Sequence, residues 1–226
     1  MCGRISQNKE PYEYFPESKP KMTDLFKLDR PGATYNVPPG SRPIVLHCLD
    51  GEMQLTRWFW QYVPPWAEKG KVAANARLDK IMDGARWWAG ALKHGRMIIP
   101  ADGWYEWTGE KGDKQPWFIR PKDGKPLWMA TISGWRPGLA WEDSEKTTGF
   151  AIVTDDSAGG MVDIHDRRPI VLTLDAAMEW MDPDRTPDQA KEILTTPRPE
   201  SAFEWYEVTK KVGNSRYQGE DSVEPI

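Results

Sequence analysis

Short apolar stretches separated by glycine and proline turns run through most of this chain, and no other feature constrains its fold as tightly. Pro43–Leu49 and Met53–Trp60 flank Asp50-Gly51, a two-residue hairpin signal. Trp104–Thr108 and Pro116–Arg120 flank a polar GEKGDK loop, and Pro116–Arg120 and Leu127–Ile132 flank Lys122-Asp123-Gly124-Lys125. Phe150–Thr154, Ile170–Thr173 and Glu204–Val208 extend the strand set. Helical signals are fewer. Leu78, Ile81, Met82, Ala85, Trp88, Ala89 and Leu92 recur at helical spacing and predict one amphipathic helix over 78–93. Asp175 is expected to cap a short helix through Met181, and Thr186-Pro187-Asp188-Gln189 carries the cap, proline and capping-box residues that open another. Residues 8–42 and the polar tail from about 214 read as irregular. Strands and helices do not alternate regularly, so the expectation is one α+β domain over 1–226 with a curled, mostly antiparallel sheet.

Such a sheet needs a core. Leu, Ile, Val and Phe together supply only 40 of 226 residues, a fraction near that of disordered chains. The net charge is only −4, which removes the second condition for disorder, and 13 Trp, 9 Met and 7 Tyr replace the missing aliphatic mass. Charge is unevenly spread: 15 Lys/Arg face 10 Asp/Glu over residues 1–100, against 15 and 24 over the remainder. That balance argues against a lysine-coated polyanion binder but leaves room for a basic groove built from the first half. No 18-residue apolar run is present and MCGRISQNKEPYEYF has no apolar signal region, so no membrane association is expected, and a reducing intracellular compartment is. Cys2 and Cys48 form no CxxC pair, and His47, His94 and His165 lack HExxH spacing. Nucleotide-binding glycine motifs and GxSxG are absent. No metal and no cofactor are expected.

Four segments can carry chemistry. Removal of Met1 would leave Cys2 with an α-amine and a thiol on adjacent carbons. An α-amine with a pKa of about 7.7–8.0 is partly neutral at pH 7. A 1,2-aminothiol condenses with an aldehyde to an imine and then closes a thiazolidine through sulfur. The plain alternative is a terminal packing residue. Asn75 and Arg77 precede the helix and could orient a nucleophile or bind phosphate, or serve as a helix cap and a solvated first-turn residue. In Gly103-Trp104-Tyr105-Glu106-Trp107, strand alternation sets Trp104 and Glu106 on one face, where a buried carboxylate would become an acid or base; an edge strand in water is the competing reading. His165, between Asp163 and Asp166 and followed by Arg167 and Arg168, could shuttle protons beside an anion, or fill a structural role.

Taken together these segments carry a resemblance. MCGR at the terminus, YNVPPG at 35–40, RWFWQYVPPW at 57–66, NAR at 75–77, RMIIPADGWYEW at 96–107, KQPWFI at 114–119 and IHDRRPIVL at 164–172 occur in the order seen in the SRAP (SOS-response-associated peptidase) family. The resemblance covers roughly residues 2–213. It implies a barrel-like α+β sheet flanked by a few helices, and a groove for single-stranded DNA. It implies that Cys2, exposed by loss of Met1, traps the aldehyde of an abasic site as a thiazolidine, with self-processing peptidase and minor abasic-site lyase activities. It places catalytic roles on Cys2, Asn75, Glu106 and His165. It places DNA contacts on Arg4, Asn36, Pro39, Trp66, Arg77, Thr154, Arg167 and Arg168, with Trp66 stacking on a base. It implies a monomeric, cytoplasmic partner of single-stranded DNA containing abasic sites, nucleoid-associated in a bacterium or phage.

Three positions depart from the family pattern: Gln61 for a usual Gly, Ala67 for a second Trp, and Tyr217 for a frequent Asn. They bear on groove shape rather than on Cys2. Two other readings compete: a thiol peptidase acting on other proteins, and a non-covalent reader of modified bases.

Overall fold

A computed structural model describes residues 2–14, 21–22, 34–49, 51–64, 66–67, 71–139 and 149–226. The strands divide between two sheets. Five form the first: β1 (Ile5–Gln7), β3 (Thr34–Val37), β8 (Gly103–Thr108), β9 (Gln115–Pro121) and β14 (Phe203–Glu207), in the order β14-β9-β8-β1-β3. Nine form the second: β2 (Lys21–Met22), β4 (Ile44–His47), β5 (Gln54–Arg57), β6 (Asn75–Arg77), β7 (Arg96–Ala101), β10 (Leu127–Ser133), β11 (Phe150–Asp156), β12 (Arg167–Pro169) and β13 (Val171–Leu172). Pairing is antiparallel except for β6 on β11 and β2 on β5. The α+β class is as expected. The strand-rich part is two sheets rather than one, and among the described residues neither strand order returns to its first strand.

Two cores separate the layers. One lies between the sheets and gathers Ile5, Val37, Trp58, Trp60, Met97, Ile99, Trp104, Ile119, Phe150 and Ile152. The other lies under four short helices: α1 (Leu78–Met82), α2 (Arg86–His94), α3 (Leu174–Met181) and α4 (Pro187–Leu194). The tryptophans do the work that the composition required of them. Trp58, Trp60, Trp104 and Trp180 are among the largest fully buried side chains. Cys48 packs against the helix-side core.

Several local expectations change. The helix over 78–93 is broken into α1 and α2 by Asp83-Gly84-Ala85. Gly84 sits at φ +73°, and its N–H and that of Ala85 close back on the carbonyls of Ile81 and Lys80, a glycine-ended helix terminus. Apolar periodicity cannot see this, because α2 resumes with its apolar face on the same core. The β4–β5 hairpin forms, but its register pairs His47 with Gln54, so its connection is longer than two residues; Asp50 lies outside the described residues. Lys122–Lys125 does not close a hairpin. It carries the chain from β9 in one sheet to β10 in the other. Thr173, not Asp175, caps α3, accepting from Ala176 N–H, while Asp175 occupies the first turn. The capping box at Thr186 and Gln189 is present as expected. The tail after Gly213 has only a single short helical turn, Glu220–Val223, yet it is anchored, with Ser222 buried.

Arg96 fixes the helices to the second sheet. Its guanidinium donates to the carbonyls of Leu92, Lys93, Trp180, Asp182 and Arg185, so the ends of α2 and α3 share one cation. No helix among the described residues is long and apolar enough to cross a membrane.

Candidate active site

The site forms where the two sheets meet. Ile5 pairs with Trp104, and the N–H of Tyr105 donates to the carbonyl of Arg4. Continued toward the chain start, this antiparallel register brings the residues before β1 alongside Glu106. Trp104 falls in the core between the sheets, and Tyr105 in a small cluster on the opposite face. Glu106 therefore points inward with Trp104, and is only 3% exposed. Cys2 is buried in the same inner core.

The second sheet supplies the other two candidates. β6 runs parallel to β11, with Asn75 opposite Ile152. Asn75 is a strand residue, not a helix cap; Arg77 occupies the position before α1 and caps nothing. Among the described residues, the Asn75 Oδ1 is buried with no hydrogen-bond partner. His165 follows a helical turn, Gly159–Asp163, and precedes β12. Its Nε2 lies 3.9 Å from the Glu106 Oε2. The Arg167 backbone N–H donates to its Nδ1 at 3.0 Å. That bond assigns the neutral tautomer: Nδ1 accepts, and Nε2 carries the hydrogen on the side of Glu106. Asp166 Oδ1, 2.8 Å from Nδ1, can take over as partner when the ring is doubly protonated.

Electrostatics match this geometry. Burial pushes the Glu106 carboxyl up from 4.5 to about 7 against the opposing pull of the N-terminal ammonium, with Asp166 adding to the rise. Burial, with the Glu106 charge adding, holds the Cys2 thiol far above its usual range. Burial lowers His165, against an opposing pull from Asp166. An acid that titrates near neutrality thus sits beside a thiol kept protonated and an imidazole kept neutral. Among the described residues no cluster of His, Cys, Asp and Glu could hold a metal ion.

The eight residues expected to meet DNA are placed unevenly. Trp66 is 52% exposed, with the Arg86 guanidinium 4.7 Å from its ring centroid and Trp87 edge-on at 5.7 Å. Arg77 is exposed and forked onto Asp79. Pro39 is half-buried on the loop after β3. Arg4 is half-buried, 5.5 Å from the Trp107 ring centroid. Asn36 and Thr154 are both 0% exposed. Arg167 and Arg168 are each 8% exposed. Arg167 donates to Asp156 and to the Thr154 carbonyl, and Arg168 donates to the Arg198 carbonyl and pairs with Glu200. Both arginines are thus held by carboxylates and carbonyls of the chain itself. A basic residue beside proline in a short strand has no sequence mark that separates brace from contact.

Two contributors escaped the sequence reading. Glu200 accepts from the Ala158 N–H at the start of the turn leading to His165 and pairs with Arg168, so it holds that turn in place. Its remoteness in sequence hides this. Arg86 flanks Trp66, but inside the helix expected over 78–93 nothing marks it for a role. Clefts of about 330 and 390 Å³ lie elsewhere, lined around Asp102 and Arg120 and around Trp128 and Asp175, and contain none of the four catalytic candidates.

The family model for SOS response associated peptidase (SRAP) matches residues 1–215. The chain is 37% identical over 228 aligned residues to the abasic site processing protein YedK of Escherichia coli (strain K12), covering 100% of both chains. It is 28% identical to the abasic site processing protein HMCES of Xenopus tropicalis, over 83% of this chain and 64% of that one. Among solved structures, a phage-related protein from Bordetella bronchiseptica superposes with a TM-score of 0.78 at 40% identity, over 96% of this chain and 99% of that one.

Proposed function

This chain belongs to the SOS response associated peptidase (SRAP) family, and from that premise we propose that it processes abasic sites in single-stranded DNA by covalent capture on Cys2. The observation that carries the reading is Glu106: a carboxyl 3% exposed, with its pKa raised to about 7, beside buried Cys2 and 3.9 Å from His165.

The chemistry closes on these groups. Met1 is removed, freeing the Cys2 amine. The abasic sugar opens to its aldehyde, with His165 serving the ring oxygen. The amine attacks the aldehyde carbon, and a proton passes from nitrogen to oxygen to give a carbinolamine. Asn75 Oδ1 accepts from the amine and fixes its direction of attack. Protonated Glu106 donates to the departing hydroxyl, water leaves, and an iminium remains beside a carboxylate. The Cys2 thiol gives its proton to that carboxylate as sulfur bonds to carbon. The thiazolidine is formed and Glu106 is protonated again. The raised thiol supports this order, since sulfur stays protonated until the iminium creates both its base and its target. The same raised thiol speaks against a thiol peptidase working on other proteins, which needs a standing thiolate. An iminium also acidifies the neighbouring sugar carbon, which accounts for a minor lyase activity, and the Glu106–His165 pair is suited to the self-removal of Met1.

Trp66, backed by Arg86 and Trp87, is the stacking platform for a base. Arg77 and Arg4 are the leading phosphate contacts, and Arg167 joins them by exchanging exposed Asp156 for a phosphate oxygen. The protein acts as a monomer, once per molecule. The test is a denaturing gel. Protein shown by mass to lack Met1 is incubated with a single-stranded oligonucleotide bearing one abasic site. A shifted band, absent for Cys2→Ala, is the expected result; no band from the unmutated protein sinks the reading.

A further inference from the structure

Asn36 is the most completely engaged polar residue near the chain start. Its Nδ2 donates to the carbonyls of Val212, Asn214 and Tyr217 at 3.1, 3.0 and 3.0 Å. Its Oδ1 accepts from Arg4 Nη1 at 2.6 Å, and the same Arg4 nitrogen donates to the Val212 carbonyl at 2.9 Å. Its main chain is taken as well: Gln218 Oε1 accepts from the Asn36 N–H at 3.1 Å, and Gln218 Nε2 donates to the Asn36 carbonyl at 3.0 Å. The tail thus closes over one buried amide, and that amide grips one amino nitrogen of Arg4. Among the described residues, no group takes the other, Nη2.

We infer that Asn36 and the Val212–Gln218 segment form a latch that aims the Arg4 guanidinium, leaving Nη2 to meet a phosphate oxygen of the DNA strand. Asn36 is then a positioning residue rather than a DNA contact, and the tail is part of the binding apparatus. The family model ends at residue 215, short of Gln218, so the latch runs past the matched span. Tyr217 gives the latch its carbonyl, while its hydroxyl bonds to Asp221 and Lys211. Only an amide at position 36 serves both neighbours. A carboxylate would face three carbonyls, and an aliphatic residue would release tail and arginine alike.

This inference rests on the DNA-binding reading, and a double-mutant cycle separates the two. Affinity for an intact single-stranded oligonucleotide is measured by fluorescence anisotropy over a salt series for the unmutated protein, Arg4→Ala, Asn36→Ala and the double variant. Each single variant is expected to lose about tenfold in affinity and to flatten the salt slope by about 0.7. The double variant is expected to lose no more than Arg4→Ala alone. A merely structural Asn36 would add its loss to that of Arg4→Ala, which overturns the latch. Gln218→Ala, at an exposed position, guards against misfolding of the Asn36 variant. It should weaken binding in the unmutated background and not in Arg4→Ala; an equal loss in both overturns the inference. Unmutated protein that binds no DNA overturns the functional reading itself, and the latch with it.

Discussion

His165 Nε2 faces Glu106 Oε2 across 3.9 Å, wider than a hydrogen bond, so one oxygen set to the side of the gap within hydrogen-bond distance of both can link them. Glu106 stands on β8 of the first sheet and His165 on the turn leading into β12 of the second, and neither can pass a proton directly to the other. A substrate hydroxyl or a water between them completes the path, which is the position of the carbinolamine oxygen in the proposed reaction.

Capture should therefore be pH-dependent with a falling alkaline limb. Glu106 must be protonated to expel water, and its carboxyl titrates at about 7. The single-turnover cross-linking rate at saturating DNA is expected to drop above that pH. Glu106→Gln should lose roughly 10²–10⁴-fold in rate and show no limb there. An unchanged limb in the variant would assign it to another group.

Stability should carry the same signature. The Glu106 pKa is raised on folding, so the native state binds the proton more tightly than the unfolded chain. Its favourable contribution is complete below about 4.5 and is lost as pH rises toward about 7. The full shift corresponds to ~3 kcal/mol. Asp102, also raised by burial, contributes with the same sign. The informative quantity is the difference between proteins: Glu106→Gln should melt higher than the unmutated chain at pH 8 and lose that advantage at pH 4. Thermal melts at the two pH values test this.

Trp66 and Arg77 should fail differently. Trp66→Ala removes a stacking platform and should cost about 1–3 kcal/mol of affinity with the salt slope retained. Arg77→Ala should flatten the slope by about 0.7. Identical salt responses in the two variants would contradict the division between stacking and phosphate contact.

Glu200→Ala should act through His165. It frees the Ala158 N–H and unpairs Arg168, loosening the turn that carries the imidazole. The cross-linking rate at saturating DNA should fall by about tenfold, with affinity for intact DNA retained and the alkaline limb of Glu106 unmoved. A loss confined to affinity would make Arg168 a DNA contact instead.

Much of this site was legible in the sequence, and the unread part has physical causes. Alternation alone put Glu106 on the face of Trp104, because a strand has a period of two; whether that face was buried needed the second sheet. The adjacency of amine and thiol on Cys2 is covalent and needs no fold. Which strand lies beside which was not legible: Lys122–Lys125 reads as a hairpin turn whether it joins paired strands or passes between sheets. The break at Gly84 was hidden because both halves of the helix keep one apolar face. Arg167 and Arg168 carry charge in the sequence, and only their carbonyl and carboxylate neighbours reveal that the charge is already matched. The tail looked irregular because its order comes from one distant amide, not from a repeat of its own.

The division of the four catalytic candidates between two sheets has a mechanical consequence. Cys2 and Glu106 ride on one slab and Asn75 and His165 on the other, with Trp58, Trp60, Trp104 and Phe150 as the spacer. The reaction geometry is therefore a caliper reading of the spacer's thickness. A shaved indole in that spacer would let the jaws close on each other, and chemistry would register the change well before the chain unfolds.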